Sequence, residues 1–496
     1  MSLIQVKNLS FSYPGSFDRI FENVSFQIDT DWKLGFIGRN GKGKTTFLNL
    51  LLGKYEYTGE IIANTTFDYF PYQIKSVDSY TGDIMQKICP SAAIWEIQRE
   101  ISCLDAEQDI LYRPFKTLSA GEQTKVLLAA MFLNEERFLL IDEPTNHLDA
   151  EARKAVAAYL KRKKGFILVS HDRAFLDDCV DHILAVNKTD IEVQNGNFSS
   201  WYYNFQNRQN FEQTQYDRLT AEIKKQKAAA RRTAVWSDRV EKTKSTRLSG
   251  IKPDKGYIGH KSAKAMKRAK TYEARQNKNI EEKSRLLQNA ERGEKLKISP
   301  LSHYESCLAE ISEIIVKYDG TAVCGPVSFT IRQGERLALT GKNGCGKSSI
   351  LKLLLNQNLE YTGSIRLASG LKISYVPQDT SNLSGSLAEY AEQQHIDITL
   401  FQTILRKMGF SRHQFLKDIK DFSGGQKKKV LIAKSLSEKA HLYIWDEPLN
   451  YIDIYSRLQI EELIKDFSPS MIFVEHDREF RENTATEAIE IKRIKA

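Results

Sequence analysis

Two carboxylate pairs carry the first chemical signal. Asp142 and Glu143 close the apolar run of LLIDEPTNHLD (139–149), and Asp446 and Glu447 close that of YIWDEPLNYID (443–453). An Asp at the end of a buried strand can hold Mg2+, directly or through water, and the adjacent Glu can orient or deprotonate an attacking water. Upstream of each pair lies a glycine-rich turn, GRNGKGKTT (38–46) and GKNGCGKSS (341–349). The spacing GxxxxGK[ST] between a strand and a helix is a P-loop. In the first copy Gly38, Gly41 and Gly43 let the backbone curl so that its N–H groups face phosphate oxygens. Lys44 then reaches the β- and γ-phosphates, and the Thr45 hydroxyl is placed for Mg2+. Gly341, Gly344, Gly346, Lys347 and Ser348 repeat the arrangement, and Asn40, Thr46, Asn343 and Ser349 complete the two loops. His171 in LVSHDRAF and His476 in FVEHDREF follow further apolar runs and could contact a γ-phosphate. One such motif alone is often a capped turn or a satisfied core histidine; the full set, twice in one order, is phosphoryl chemistry.

These residues sit in a duplicated frame. Lys44 to Lys347 is 303 positions, Ser119 to Ser423 and Asp142 to Asp446 are 304, and His171 to His476 is 305. LSAGEQTKVLLA (118–129) matches FSGGQKKKVLIA (422–433). Each copy opens with strand-like alternation, then has an apolar strand (34–37, 337–340), the glycine-rich turn and a helix-like run. Strands alternating with helices predict an α/β domain with a mainly parallel sheet and its ligands at the carboxyl ends of the strands. The expected division is a first domain over 1–200, a basic helical hairpin over 201–300 and a second domain over 301–496.

The bulk composition bounds the class. A chain of 496 residues, 41% hydrophobic and 27% charged, exceeds one ordinary core. No run of eighteen apolar residues occurs, so no membrane span is expected, and the opening MSLIQVKNLSFSY lacks a signal peptide's regions. A cytoplasmic protein without a membrane partner is the expectation. The six cysteines, Cys89, Cys103, Cys179, Cys307, Cys324 and Cys345, form no CxxC pair, against a zinc site or disulfide framework. Cys345 lies inside the second P-loop, so alkylation there is expected to weaken ATP binding, and Cys345→Ser to resist it.

The net charge of +9 is not evenly spread: residues 206–297 hold 25 Lys and Arg against 11 Asp and Glu, a surplus of 14. Two long helices are predicted, near 206–245 and 261–292. The first carries Tyr216, Leu219 and Ile223 as an apolar seam, and the turn between them is rich in Gly and Pro. Forty helical residues extend about 60 Å, far more than two adjoining domains need. From 221 to 270 there are 16 basic and 4 acidic residues, a density suited to releasing counterions from RNA. Trp236 and Tyr257 could stack on bases or simply pack.

P-loop, LSAGE or FSGGQ signature, DEP and the late histidine, in this order, resemble the nucleotide-binding domains of the ABC superfamily. EPTNHLD, with two tandem domains and no membrane segment, is similar to the ABC-F family of ribosome-acting ATPases. The resemblance implies head-to-tail domains with ATP between the P-loop of one and the signature of the other. One site then uses Lys44, Asp142, Glu143 and His171 with Ser423, Gly424, Gly425 and Gln426. The other uses Lys347, Asp446, Glu447 and His476 with Ser119, Gly121 and Glu122. Tyr13 and Tyr318 take adenine-stacking places, and Gln378 of YVPQD fits the glutamine loop that senses Mg2+. In the first half YFPYQ puts Tyr72 at the aligned place and Gln73 one residue later, so either could serve. The second site departs from the first in EPLNYID (Leu449, Tyr451), but both glutamates are retained, implying hydrolysis at both sites.

The resemblance also implies partners: the 70S ribosome through 23S rRNA and the E site, with tRNA in the P site, and a monomer that pairs its own domains. The long linker, the absence of an arm between P-loop and signature, and about twenty residues after His476 resemble the antibiotic-resistance branch. The opening and DTDWKLGFIGRNGKGKTT look most like Lsa-type proteins acting against lincosamides, pleuromutilins and streptogramin A. Length places Lys244, Arg247, Leu248, Ile251, Lys252 and Tyr257 at the hairpin tip. A housekeeping translation factor of the same family and a fused ATPase pair of a membrane transporter are the competing readings.

Overall fold

The computed structural model describes residues 2–14, 19–74, 76–134, 137–146, 148–186, 190–242, 295–318 and 320–492. Among the described residues of the first half the strands are β1 (Leu3–Phe11), β2 (Phe21–Asp29), β3 (Lys33–Ile37), β4 (Thr58–Ile62), β5 (Thr66–Phe70), β6 (Arg137–Asp142), β7 (Phe166–Val169), β8 (His182–Val186) and β9 (Ile191–Asn195). They form a three-stranded antiparallel sheet, order β2-β1-β4, and a six-stranded sheet, order β5-β6-β7-β3-β8-β9, parallel except at β9. The central strands are apolar in their middles, FILV of β7 being buried at every position, because helices cover both faces of a parallel sheet.

The second half repeats the plan with β10 (Cys307–Tyr318), β11 (Thr321–Arg332), β12 (Arg336–Thr340), β13 (Glu360–Leu367), β14 (Ile373–Val376), β15 (Leu442–Asp446), β16 (Met471–Val474) and β17 (Glu487–Glu490). Its sheets run β11-β10-β13 and, all parallel, β14-β15-β16-β12-β17. The mainly parallel sheets expected from the sequence are therefore present in both halves.

This strand order positions the chemistry. β7 lies between β6 and β3, so three neighbouring parallel strands deliver Asp142, His171 and the P-loop to one sheet edge; Asp142 is in register with Val169. β15, β16 and β12 do the same for Asp446, His476 and the second loop, with Asp446 opposite Val474. The P-loop helices, Lys44–Leu51 and Lys347–Leu354, each start after a glycine in the left-handed region, Gly43 at φ 94° and Gly346 at φ 96°. A Cβ on Gly43 would lie 2.4 Å from Ile20 Cγ2 and 2.9 Å from Phe21 Cζ. Both the conformation and the space demand glycine there.

The contacts divide the chain into one unit of Met1–Trp201 with Glu294–Ala496 and a second of Tyr202–Gly293. Both ATPase-like halves thus belong to one unit. A helix of 45 residues runs Phe198–Lys242, about 67 Å at 1.5 Å per residue. It begins earlier than periodicity suggests, because Asn197 Oδ1 accepts from Ser200 N at 3.1 Å and Phe198 and Trp201 are buried in the first unit. The side chains of Tyr216, Leu219, Ile223 and Trp236, the second expected helix, and the tip residues Lys244, Arg247, Leu248, Ile251, Lys252 and Tyr257 lie outside what is described. Among the described residues no helix is long and apolar enough to cross a membrane. The six cysteines are free, four of them buried.

Candidate active sites

At the first P-loop the Lys44 ammonium is held by the turn itself: Nζ donates to the Gly38 carbonyl at 2.7 Å, with Arg39 O and Asn40 Oδ1 at 3.4 Å. Thr45 Oγ1 donates to Asp142 Oδ2 at 3.0 Å. Thr46 Oγ1 meets the Tyr13 hydroxyl at 2.7 Å. The second loop matches: Lys347 Nζ to Gly341 O at 2.8 Å, Ser348 Oγ to Asp446 Oδ1 at 3.1 Å, Ser349 Oγ to the Tyr318 hydroxyl at 2.9 Å. Tyr318 is therefore tethered as Tyr13 is. A hydroxyl beside a carboxylate is an all-oxygen donor set of the kind Mg2+ takes.

The carboxylates beyond these pairs differ. His171 Nε2 lies 3.1 Å from Asn40 Oδ1, in hydrogen-bond geometry, and 3.2 Å from Glu143 Oε1. Glu143 Oε1 and His171 Nδ1 are buried without a hydrogen-bond partner among the described residues. Orphaned buried polar atoms of this kind call for a ligand or ordered water. Burial, reinforced by Asp142, pushes the Glu143 carboxyl up to about 8. Burial and then Lys44 hold His171 well below the usual imidazole range. Glu447 instead accepts from Gln378 Nε2 at 2.8 Å and Asn450 Nδ2 at 2.6 Å, with His476 Nε2 at 3.5 Å. Burial pushes Glu447 up, but His476 and Asn450 outweigh it, and its carboxyl sits below the usual range.

The glutamine loops differ as well. Gln378 reaches Glu447. In the first half the Tyr72 hydroxyl turns to Asp68 Oδ2 at 2.6 Å, and the contact with Asp142 comes from Tyr69, whose hydroxyl donates to Oδ2 at 3.1 Å. Gln73 is exposed, and among the described residues neither it nor Tyr72 is bonded to Asp142.

Each signature is also a helix capping box. Ser119 Oγ accepts from Glu122 N at 3.3 Å while Glu122 Oε2 accepts from Ser119 N at 2.7 Å; Ser423 and Gln426 do the same at 3.4 and 2.9 Å. The motif S-x-x-E/Q so fixes the N-terminus of a helix whose dipole favours phosphate.

At one seam the contacts between the halves pair loop with signature. Asn40 Nδ2 of the first P-loop donates to the Tyr451 carbonyl at 2.7 Å. Tyr451 packs over the second signature, its ring 3.6 Å from a Cβ placed on Gly424. A Cβ on Gly425 would meet the Tyr451 carbonyl at 2.4 Å and Asn40 Nδ2 at 2.9 Å. Lys44, Asp142, Glu143 and His171 thus share a seam with Ser423, Gly424 and Gly425. Elsewhere between the halves Lys342 Nζ of the second P-loop meets Glu151 Oε2, on the helix Ala150–Arg162, at 2.8 Å, between exposed side chains. Beside the first seam Arg173, 2% exposed, is paired with Glu461, with Glu479 Oε2 at 3.2 Å and Asp477 Oδ1 at 3.7 Å. Arg39 lies over the Tyr455 ring at 5.6 Å, and Tyr455 packs edge-on against Trp201 at 6.2 Å. Cys345 is 1% exposed, and its thiol sits 2.7 Å from a Cβ placed on Gly341. A thiol reagent reaches it only when the loop opens, which narrows the expected alkylation effect to an open state.

The model of the ABC transporter ATP-binding domain matches twice, over residues 21–146 and 324–450, together just over half of the chain. The chain belongs to this family. Its two domains bind ATP and hydrolyse it. Among curated relatives, the ribosome protection protein VmlR of Bacillus subtilis is 27% identical over 97% of this chain and 85% of its own length. The ATP-binding protein Uup of Buchnera aphidicola is 28% identical over 98% of this chain and 80% of its own. Among solved structures, an archaeal ribosome recycling factor in complex with a ribosomal stalk protein superposes with a TM-score of 0.64 at 18% identity, covering 97% of this chain and 87% of that one. The RNase-L Inhibitor follows at a TM-score of 0.62 and 17% identity, with 98% and 87% covered. Both share the tandem fold.

Proposed function

We propose that this chain is an ATP-dependent ribosome-protection factor of the ABC-F type, acting in the cytoplasm as a monomer. The observation that carries the reading is the cross-seam bond from Asn40 to Tyr451 beside Gly425, joined to a linker of net charge +14. ATP bound by Lys44 and the first P-loop would lie against the second signature, and ATP on Lys347 against Ser119, Gly121 and Glu122. Thr45 with Asp142, and Ser348 with Asp446 and Gln378, would hold Mg2+, which supplies charge neutralisation on the transferring phosphoryl group. Glu143 and Glu447 orient the attacking water, and His171 and His476 face the γ-phosphate. Tyr13 and Tyr318 flank adenine.

Closure of the two seams is coupled to the linker at its root. Tyr455 bridges Arg39 of the P-loop and Trp201 in the first turn of the long helix, so seating phosphate beside Arg39 loads the helix base. The basic hairpin then enters the E site of a 70S ribosome with tRNA in the P site, against 23S rRNA phosphates. Its tip, Lys244, Arg247, Leu248, Ile251, Lys252 and Tyr257, dislodges lincosamides, pleuromutilins or streptogramin A, as in Lsa-type proteins. Kinship with a ribosome protection protein over 97% of the chain supports this choice. Drug-susceptibility testing of a sensitive strain expressing the protein decides it. Raised tolerance, lost on Leu248→Ala or Tyr257→Ala with ATPase activity intact, is the expected result. Unchanged tolerance, with slowed growth when the gene is deleted, points to a housekeeping translation factor.

A further inference from the structure

Lys428 is a buried cation that the two ATP sites leave unexplained. It lies on the second signature helix, Gly424–Ser437, one turn after the Ser423 cap, and is 2% exposed. Among the described residues its ammonium makes no hydrogen bond to a carboxylate. Nζ donates to the Pro377 carbonyl at 2.8 Å and to the Asp446 carbonyl at 3.3 Å. These two peptide units immediately precede Gln378 and Glu447, which are themselves bonded at 2.8 Å. One side chain therefore clasps the backbone on both sides of the Gln378–Glu447 pair. The N-terminus of the same helix meets the other seam, where Gly425 lies against Asn40 and the Tyr451 carbonyl. Among the described residues the first half shows no equivalent. Thr124 occupies the matching place and bonds back to Ala120 O within its own helix at 3.0 Å.

We propose that Lys428 is a positioning residue for hydrolysis at the second seam, tying its Gln378–Glu447 pair to the helix that closes the first seam. The coupling runs one way, because Thr124 is too short to do the same for Glu143. Burial pushes the Lys428 ammonium down to about 8, with Glu475, Asp446 and Glu447 opposing. It is a cation kept in place by carbonyl oxygens and nearby carboxylates at a cost in solvation. Burying it is explained by what it holds.

The proposal rests on Glu143 and Glu447 being the hydrolytic carboxylates, and the experiment separates the two. Turnover is measured in Glu143→Gln, where only the second seam works, in Glu447→Gln, where only the first does, and in the double variant. Lys428→Met, which keeps the stem and removes the ammonium, is then added to each single variant. The expected result is a fall in kcat of about tenfold in the Glu143→Gln background with KM within about twofold, and a change under about twofold in Glu447→Gln. Lys428→Arg, which retains donors, restores part of the lost kcat. Equal losses in both backgrounds, or no loss in the first, overturn the proposal. If Lys428→Met does not fold, Lys428→Thr is judged by the same split; failure of both to fold marks a purely structural lysine and also overturns it. Residual turnover in the double variant overturns the carboxylate assignment instead, and this proposal with it.

Discussion

Replacing Arg173 should loosen the contact between the two halves more than any substitution at the exposed Lys342–Glu151 pair. Arg173 is 2% and Glu461 4% exposed, and the guanidinium also faces Glu479 and Asp477. Arg173→Met leaves Glu461 buried without its cation, although Asp477 keeps Arg457 at 3.0 Å. Breaking a buried pair from one side costs about 3–5 kcal/mol. For a domain of roughly 200 residues, where 1 kcal/mol moves Tm by about 2–4 °C, the midpoint should fall on the order of 10 °C. Arg173→Met with Glu461→Met removes both charges, so most of that loss returns, with a coupling energy of about 2–3 kcal/mol. Lys342→Met, at a pair with both side chains mostly exposed, should cost under about 1 kcal/mol. Scanning calorimetry and urea titration of the four proteins read the cycle. An Arg173→Met midpoint within a degree or two of the parent, or a double variant equal to the sum of the singles, would refute the reasoning.

Three further outcomes follow from the site geometry. Glu143 is pushed up to about 8 and Glu447 lies below its usual range. Because a base must be ionised, kcat/KM for the first seam, measured in Glu447→Gln, should climb from pH 6.5 through about 8. The second seam, measured in Glu143→Gln, should lack that limb; superimposable profiles would contradict the difference. Gly425→Ala places a Cβ 2.4 Å from the Tyr451 carbonyl, so ATP-driven closure of the first seam should be lost, read as a drop in turnover of about tenfold or more. Cys103 is exposed and Cys345 buried, so a maleimide should label Cys103 first and spare ATPase activity, with Cys345 following only slowly; simultaneous labelling would contradict the closed loop.

Most of the domain fold was legible because its signals are local. The period of apolar residues, the glycine spacing and the two DEP ends each lie within a dozen residues, and the parallel sheets place them where those signals imply. Cross-seam contacts were not legible. Asn40 meets a backbone carbonyl of Tyr451, 411 positions away, and a carbonyl carries no mark in the sequence. Tyr451 had stood out only as a departure from the first half's His147. The first glutamine loop was ambiguous because alignment counts positions, whereas the hydroxyl of Tyr69, three residues before Tyr72, is the group that reaches Asp142. Arg173 reads as a helix-start residue after His171; its partner Glu461 lies on another domain, 288 positions on, and only packing joins them. Lys428 could have been suspected from KKK in FSGGQKKKV, whose middle lysine faces the same side as apolar neighbours, but its carbonyl partners could not.

Ribosome binding under blocked hydrolysis tests the central claim most directly. The Glu143→Gln, Glu447→Gln double variant should cosediment with 70S particles in ATP and leave them in ADP, with affinity falling steeply as salt rises, as counterion release requires. Sedimentation with membranes, or no nucleotide-dependent association with 70S particles, would contradict the account.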